Sequence, residues 1–439
     1  MVVLFHNLKN IFAIDDLRKK LGFTFLVLVV FRFGHFIPIP GTDVSMLSLG
    51  DIASGVLAYL DLISGGALRK FSIFALGITP YISASIMMQI LSIAIPQFEA
   101  LAKEGQYGRN IINQYTRYLT LLLSLGQGLG YAFFAEAQGI VANPGWFSYR
   151  IPATLIISTG ALFVMWMGEQ ISEFGIGNGS SILIFGSIVA GLPFGLVEFF
   201  NAIRTGELHI IKAAILAVIT LAIIVCIIFL EKGQRKIPVH YAKRVVGNKV
   251  YGGQSSYIPL KINTPGVIPV IFAGSTLNAP LMLIAMLASK FPNTVISDLQ
   301  RWMAPTGLIY NVLTVLLIVF FSYFYTAVLF NPIEIAENMQ KSGGFVPGIR
   351  PGRKTADFFN YVLGRIGFPG ALYIAILAVI PMVLWSVLNF PQEFLFSGLS
   401  LLIMIGVALD TSAQIESHLI ERRYEGFLSS GRLRGRGGR

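Results

Sequence analysis

The stretch IKAAILAVITLAIIVCIIFL, residues 211–230, decides the class of this protein. No charged side chain falls between Lys212 and Glu231, and about 20 mostly apolar residues is the length a helix needs to cross a hydrocarbon core. Nine other runs read the same way: roughly 21–39, 71–95, 115–136, 151–168, 181–200, 265–289, 307–330, 369–390 and 395–413. A membrane barrel is excluded, because its strands alternate over segments of about ten residues. The composition agrees with the runs. Of 439 residues, 54% are hydrophobic and only 13% are charged, against about 25% charged in soluble domains. Mean hydropathy is +0.70. A water-soluble globule would lack a polar surface, and disorder requires low hydrophobicity. The expected fold is an all-α integral membrane protein with ten spans. A cleavable leader is not expected in the first run, since Arg32 interrupts it and no A-x-A-like site follows.

Basic residues set the expected orientation. Of the 33 Lys and Arg, 25 fall in segment 1–20, in the even-numbered connections and in the tail. Seven fall in the alternate connections, and the last is Arg32. Both termini are therefore expected in the cytoplasm. Arg32 itself reads either as a contact inside the bundle or as a side chain snorkelling to an interface. Cys226 is the single cysteine, so no intramolecular disulfide can form.

Three connections stand out. In residues 40–70 a half-apolar stretch, Gly55 to Ile63, is followed by Ser64-Gly65-Gly66. It is too short to span, and reads as a re-entrant, plug-like helix hinged at the glycines or as an ordinary external helix. In loop 231–264, Arg244-Val245-Val246, Gly247-Asn248 and Lys249-Val250-Tyr251 read as strand, tight turn and strand. In loop 331–368, Pro347 and Pro351 bracket Gly348-Ile349-Arg350, and two fixed φ angles stiffen the chain around one arginine. Phosphate-rich RNA or an acidic protein face would be attracted to these loops, although most of their charge is what topology alone requires. The Arg/Gly-rich tail (Arg432, Arg434, Arg436, Arg439) reads as topogenic.

Enzyme signatures fail. The five histidines are scattered without an H-E-x-x-H, and one cysteine makes no zinc site. Gly175-Ile176-Gly177-Asn178-Gly179 follows a span rather than a strand, and in Gly352-Arg353-Lys354-Thr355 an arginine splits the Gly-Lys pair of a P-loop. No enzyme, cofactor or metal is expected. The mid-spans also lack Asp and Glu, which an ion-coupled transporter would need. Small residues in the spans, among them Ser83 and Ser85 after Pro80, and Gly274, Ser275 and Thr276 after Pro269, suit close helix packing or helices that line a wet path. Ten spans divide into five plus five, as in inverted repeats. A secondary transporter built that way is the alternative function; the absent carboxylates and the large basic loops argue against it.

Particular strings carry a resemblance. Phe36-Ile37-Pro38-Ile39-Pro40-Gly41, Ser64-Gly65-Gly66-Ala67 and Ser72-Ile73-Phe74-Ala75-Leu76-Gly77-Ile78 resemble the SecY family, the channel subunit of the bacterial protein translocase. So do Pro80-Tyr81-Ile82-Ser83-Ala84-Ser85, Asn113-Gln114-Tyr115-Thr116-Arg117-Tyr118, Gly168-Glu169-Gln170-Ile171, the Gly175–Gly179 string, Tyr323-Phe324-Tyr325-Thr326-Ala327 and Phe345-Val346-Pro347-Gly348-Ile349-Arg350-Pro351-Gly352. The likeness runs from about residue 20 to the end of the tenth run.

The resemblance implies a protein-conducting channel of the bacterial cytoplasmic membrane, passive and driven by partners. Two pseudo-symmetric halves, 21–205 and 206–413, would enclose an hourglass pore, with 1–20 and 414–439 as cytoplasmic ends. The plug would be about 51–67, hinged at Ser64, Gly65 and Gly66. The constriction ring maps to Ile78, Ile82, Ile184, Ile271 and Ile403, a narrow apolar ring that dewets and blocks ions. A lateral gate between the second and seventh spans would carry Ser83, Ser85, Gln89, Ser275 and Thr276. Cytoplasmic docking maps to Arg244, Lys249, Arg350, Arg353 and Lys354. The implied partners are SecE-type and SecG-type small subunits, a SecA-type motor ATPase, the ribosome through its RNA and exit-site protein, signal sequences and nascent chains, and membrane lipid. At the hairpin tip, where relatives often have two adjacent basic residues, this chain has Asn248-Lys249.

Overall fold

The computed structural model describes residues 14–43, 70–290 (except 138, 207, 242–243, 247–248 and 252–254), 298–299, 302–303, 307–388 and 398–430. Among them run α1 (Asp15–Gly34), α2 (Thr79–Ala94), α3 (Pro96–Lys103), α4 (Gln106–Ala137), α5 (Ile151–Phe174), α6 (Gly179–Thr205), α7 (Ile210–Lys232), α8 (Ile268–Lys290), α9 (Leu308–Leu329), α10 (Pro332–Lys341), α11 (Arg353–Leu388) and α12 (Gly398–Ser430). The strands are β1 (Gln234–Tyr241), β2 (Arg244–Val246), β3 (Lys249–Tyr251), β4 (Ser255–Lys261) and β5 (Gly344–Phe345).

Each of the ten expected runs overlaps one helix. Six helical stretches are long and apolar enough to cross a membrane, and α2 with α3 makes a seventh although the pair is bent by 99°. The Ile268–Leu277 part of α8 is apolar but shorter, and α1 carries Arg18, Lys19, Lys20 and Arg32. The protein is a multi-pass membrane protein in which, among the described residues, six helical stretches, or seven with the bent pair, have the length and apolarity of a span.

The chain divides into two compact units, one of residues 1–192 with 407–439, the other of residues 193–406. In the first, helices approach at glycines: a Cβ on Gly160 of α5 would collide with the Ile73 carbonyl oxygen, and one on Gly34 of α1 with the Phe74 ring. Several hydroxyls inside the spans bond back to their own helix, as Thr120 does to the Thr116 carbonyl at 2.7 Å and Thr314 to that of Tyr310 at 2.8 Å. Lipid offers no other partner for them.

Several spans depart from expectation: α4 begins at Gln106 rather than near 115, and α12 continues to Ser430, into the expected tail, rather than ending near 413. The second begins at Thr79 rather than near 71, because residues 71–73 are hydrogen-bonded to 37–39: the Ile39 N–H donates to the Phe71 carbonyl at 2.8 Å and the Ile73 N–H to that of Ile37 at 3.0 Å. The ninth begins early, at Arg353, so most of the expected loop 331–368 is helix.

Candidate functional site

The basic loops 231–264 and 331–368 fold as one body in the second unit. β1 pairs antiparallel with β4, from Gln234↔Lys261 to His240↔Ser255, and with β5 through His240↔Phe345 and Tyr241↔Gly344. Alternation along β1 turns Ile237 and Val239 inward. They join Leu260, Met339 of α10, Val346 and Phe359 of α11 in one apolar cluster. α10 is capped at its start by the Asn331 side chain, which accepts from the Glu334 N–H at 3.4 Å. The tip hairpin forms at the residues its spacing predicted, with Arg244 opposite Tyr251 and Lys249 opposite Val246.

The turn that carries Arg350 is held from within. Gly348 (φ +80°) and Gly352 (φ +99°) adopt the left-handed region, which glycine enters without strain. The Ile349 N–H donates to the Val346 carbonyl at 3.1 Å. The fully buried Thr355 donates its hydroxyl to the Arg350 carbonyl at 3.0 Å. Arg350, Arg353 and Lys354 are all exposed. An arginine on a stiff turn loses little freedom when it meets an anion, the condition for a strong charge-assisted contact.

All five residues of the expected ring are buried. In the first unit, Ile78 ends the non-helical lead into α2 and its carbonyl accepts from the Ile82 N–H at 3.1 Å, so the two lie one turn apart. Gly168 of α5 makes room here: a Cβ on it would sit 3.3 Å from Ile78 Cδ1 and 3.4 Å from Leu183 Cδ1, the neighbour of Ile184. In the second unit, a Cβ on Gly406 of α12 would strike Val267, at the start of α8. That close approach lies about one turn from Ile403 and from Ile271. Sequence gives no signal for Gly168 or Gly406 beyond their being glycines inside apolar runs.

Of the expected gate residues, Ser83 of α2 has a buried hydroxyl with no hydrogen-bond partner among the described residues. Gln89 donates weakly to Ser85 Oγ at 3.4 Å. On α8, Ser275 is buried and Thr276 exposed. Ser64, Gly65 and Gly66 lie outside the described residues. The two roots of that segment are described, and both are fixed. Thr42 bridges to Val141, with the Asp43 N–H on the Ile140 carbonyl at 2.8 Å, and Pro38 bridges to Ser72. Phe71, at the second root, is completely buried against Tyr131 and Phe134 with φ +42°, unusual for a non-glycine residue.

Sequence reading also missed an ion pair joining α4 to α5. Arg117 Nε and Nη2 each lie 2.9 Å from a Glu169 carboxylate oxygen, a bidentate fork. Both residues sit in strings already singled out, but nothing in a sequence pairs positions 52 apart. Among the described residues no group of His, Cys, Asp or Glu could hold a metal ion.

Known proteins match along most of the chain. A family model described as SecY matches residues 72–412. The protein translocase subunit SecY of Aquifex aeolicus is 43% identical over 430 residues, 96% of this chain and 99% of that protein. That of Escherichia coli K12 is 42% identical over 431 residues, 97% of each chain. Among solved structures, one described as the structure of a protein conducting channel gives a TM-score of 0.66 at 17% identity, covering 91% of this chain and 92% of its own. Sec61 in the canine ribosome-channel complex gives 0.59 at 16% identity, over 91% and 92%. At those identities the solved structures establish the fold, whereas the curated relatives, alike from end to end, establish the kinship: this chain belongs to the SecY family.

Proposed function

We infer that this chain is the protein-conducting channel of a bacterial translocase, passing unfolded secretory polypeptides across the cytoplasmic membrane and releasing apolar segments sideways into lipid. The observation that carries the reading is the near full-length identity to protein translocase subunits. The absence of Asp and Glu from the mid-spans fits a path that recognises a chain by length and apolarity rather than by charge. A secondary transporter is not favoured, since every relative named above is a translocase subunit.

In this reading both termini and the sheet of β1, β4 and β5 face the cytoplasm, and SecE-type and SecG-type subunits complete the channel. Ile78, Ile82, Ile184, Ile271 and Ile403 form the seal, segment 51–67 is the plug, and α2 and α8 carry the gate. Arg350, with Arg244, Lys249, Arg353 and Lys354, receives the ribosome or a SecA-type motor ATPase. The test is export by vesicles holding the full chain with its small subunits. Arg350→Glu should abolish motor-driven or ribosome-driven transport at normal channel abundance, because it turns attraction for an anionic surface into repulsion without touching a span. Transport by wild-type vesicles without motor or ribosome would remove the passive-channel reading. Normal export by the variant would remove the docking role alone.

A further inference from the structure

Between α4 and α5, within the first unit, the chain is held by an ion pair that the channel reading does not use. Glu136 stands one residue before the end of α4, and Arg150 ends the single π-helical turn, Trp146–Arg150, that leads into α5. Arg150 Nε and Nη2 both reach one carboxylate oxygen of Glu136, at 2.8 and 2.7 Å. The other oxygen accepts the Gly145 N–H at 3.2 Å. The Gly145 carbonyl in turn accepts from the Tyr149 N–H at 3.1 Å and from the Arg150 N–H at 3.0 Å. The second of these bonds spans five residues, a rare spacing that recurs at functional sites. The guanidinium also lies 4.6 Å from the centre of the Phe133 ring and 5.0 Å from that of Trp146, faces that attract a cation. Only 10% of the Glu136 side chain and 23% of that of Arg150 are exposed. Water therefore does little to replace either partner, and loss of one leaves the other charge uncompensated.

What the pair closes is a short stretch of chain, and that stretch carries the first root of the 44–69 connection. The Asp43 N–H donates to the Ile140 carbonyl at 2.8 Å, the Ala142 N–H donates to the Gly41 carbonyl at 3.2 Å, and Thr42 bridges to Val141. Tyr149 adds a packing contact. It is 2% exposed, and a Cβ on Gly41 would lie 3.6 Å from its Cδ2. Its hydroxyl makes no hydrogen bond among the described residues, so packing and the backbone bond to Gly145 seat the ring. The first root thus leans on residues 140–142 and on Tyr149, and the ion pair with Gly145 sets the place of both.

We propose that Glu136 and Arg150 are positioning residues of the closed channel: their ion pair seats residues 140–149 against 41–43 and so fixes the root from which the plug hangs. The inference rests on the channel reading, in which the connection rooted there carries the plug. It adds that discrimination between good and poor signal sequences depends on a charge pair outside the ring, the gate and the plug. A looser root lowers the cost of displacing the plug, so poor signals open the channel more often.

The test uses vesicles holding the full chain, in a Cys226→Ala background, with its small subunits, and a secretory substrate with a defective signal. Glu136→Gln keeps the side chain's shape and can still accept from Gly145, but leaves Arg150 without its counter-charge. Export of that substrate, normalised to channel abundance, should rise about fivefold. Arg150→Lys keeps the charge and loses the two-nitrogen grip; it should give a rise of about twofold, and it decides the matter if Glu136→Gln does not accumulate. The critical readout is a bypass. Thr42→Cys with Val141→Cys, added to either variant and oxidised, ties the root covalently and should return export of the defective-signal substrate to the wild-type level, and reduction should release it again. A variant that merely weakened the fold would not be corrected by that one link. No rise at normal abundance, or a rise that oxidation leaves in place, would overturn the proposal. Failure of the channel reading itself would show differently, as export of a normal substrate by wild-type vesicles without motor or ribosome.

Discussion

Replacing Gly344 with valine tests whether the two basic loops act as one body. Gly344 is buried in β5 opposite Tyr241. A Cβ there would lie 3.0 Å from Met339 Cγ, 3.0 Å from Tyr241 Cε1 and 3.3 Å from Val239 Cγ1, all closer than ordinary van der Waals contact. Valine adds two further methyls. Its strand preference would otherwise favour it, so packing alone decides the sign, and overpacking costs about 1–3 kcal/mol. Local opening of the β1–β5 pairing should become easier by that amount, and its amides should exchange roughly 5- to 150-fold faster. Gly344→Ala should fall between valine and wild type. Hydrogen exchange followed over 234–241 and 342–348 reads the pairing, and binding of ribosomes or motor to the assembled channel reads the consequence. Docking should weaken although Arg350 is intact, because its turn begins at Val346, in the cluster that Gly344 borders. Unchanged exchange in Gly344→Val would refute the packing argument. Faster exchange with undiminished docking would refute the claim that this sheet is the scaffold of the docking surface.

Ile403→Asn and Ile271→Asn should relax the demand for a good signal sequence, since even about 1.4 kcal/mol lost from the closed state shifts the closed–open balance tenfold; export of a substrate with a defective signal, normalised to channel abundance, should rise, and no rise in either variant would show that these residues do not form the seal. In a Cys226→Ala background, Gly253→Cys should label from the cytoplasmic side and Asn143→Cys from the external side, and labelling of both from one side would reverse the orientation argument. Thr42→Cys with Val141→Cys, at a bridged pair, should form a disulfide that leaves export at the wild-type rate, because the root of the plug segment is fixed; export lost on oxidation and regained on reduction would show that the root itself moves.

What could be read from the sequence was local. Apolar runs of about 20 residues became helices because lipid leaves the backbone no other partner, and the tip hairpin followed from a Gly-Asn pair between β-branched residues. The bend after α2 also had a signal: Pro96 biases Ile95 away from helix, and Ile95 has ψ 118° where the chain turns by 99°. What could not be read was long-range. β5 is two residues long and has no periodicity to reveal it, yet it ties 344–345 to 240–241 and merges two loops into one sheet. The late start of α2 depends on hydrogen bonds between Ile37–Ile39 and Phe71–Ile73, across the 40–70 connection, whose composition carries no sign of that pairing. The isoleucines of the proposed ring look like any others in an apolar helix; the room left by Gly168 and the close approach at Gly406 distinguish their surroundings.

The same details bear on how the proposed gate opens. α2 is a helix of 16 residues between two non-helical joints. At one end Gly77 has φ +53°, and the chain before it is tied to residues 37–39. At the other, Ile95 is extended and α3 turns away, with Phe98 held edge-on against Tyr115 of α4 at 5.6 Å. Both ends are thus anchored while the helix between them is not continuous with either anchor. Bending a helix breaks backbone hydrogen bonds that lipid cannot replace, whereas turning it about these joints strains only the turn bonds that cross them, Thr79 N–H to the Leu76 carbonyl at 3.3 Å and Glu99 N–H to the Ile95 carbonyl at 3.0 Å. Ser83 strengthens the point, because its hydroxyl makes no hydrogen bond among the described residues that would hold α2 in its present rotation. These joints suit the proposed gate: α2 would turn between its anchored ends as one unit, with the change of angle taken up at Gly77 and at Ile95–Pro96.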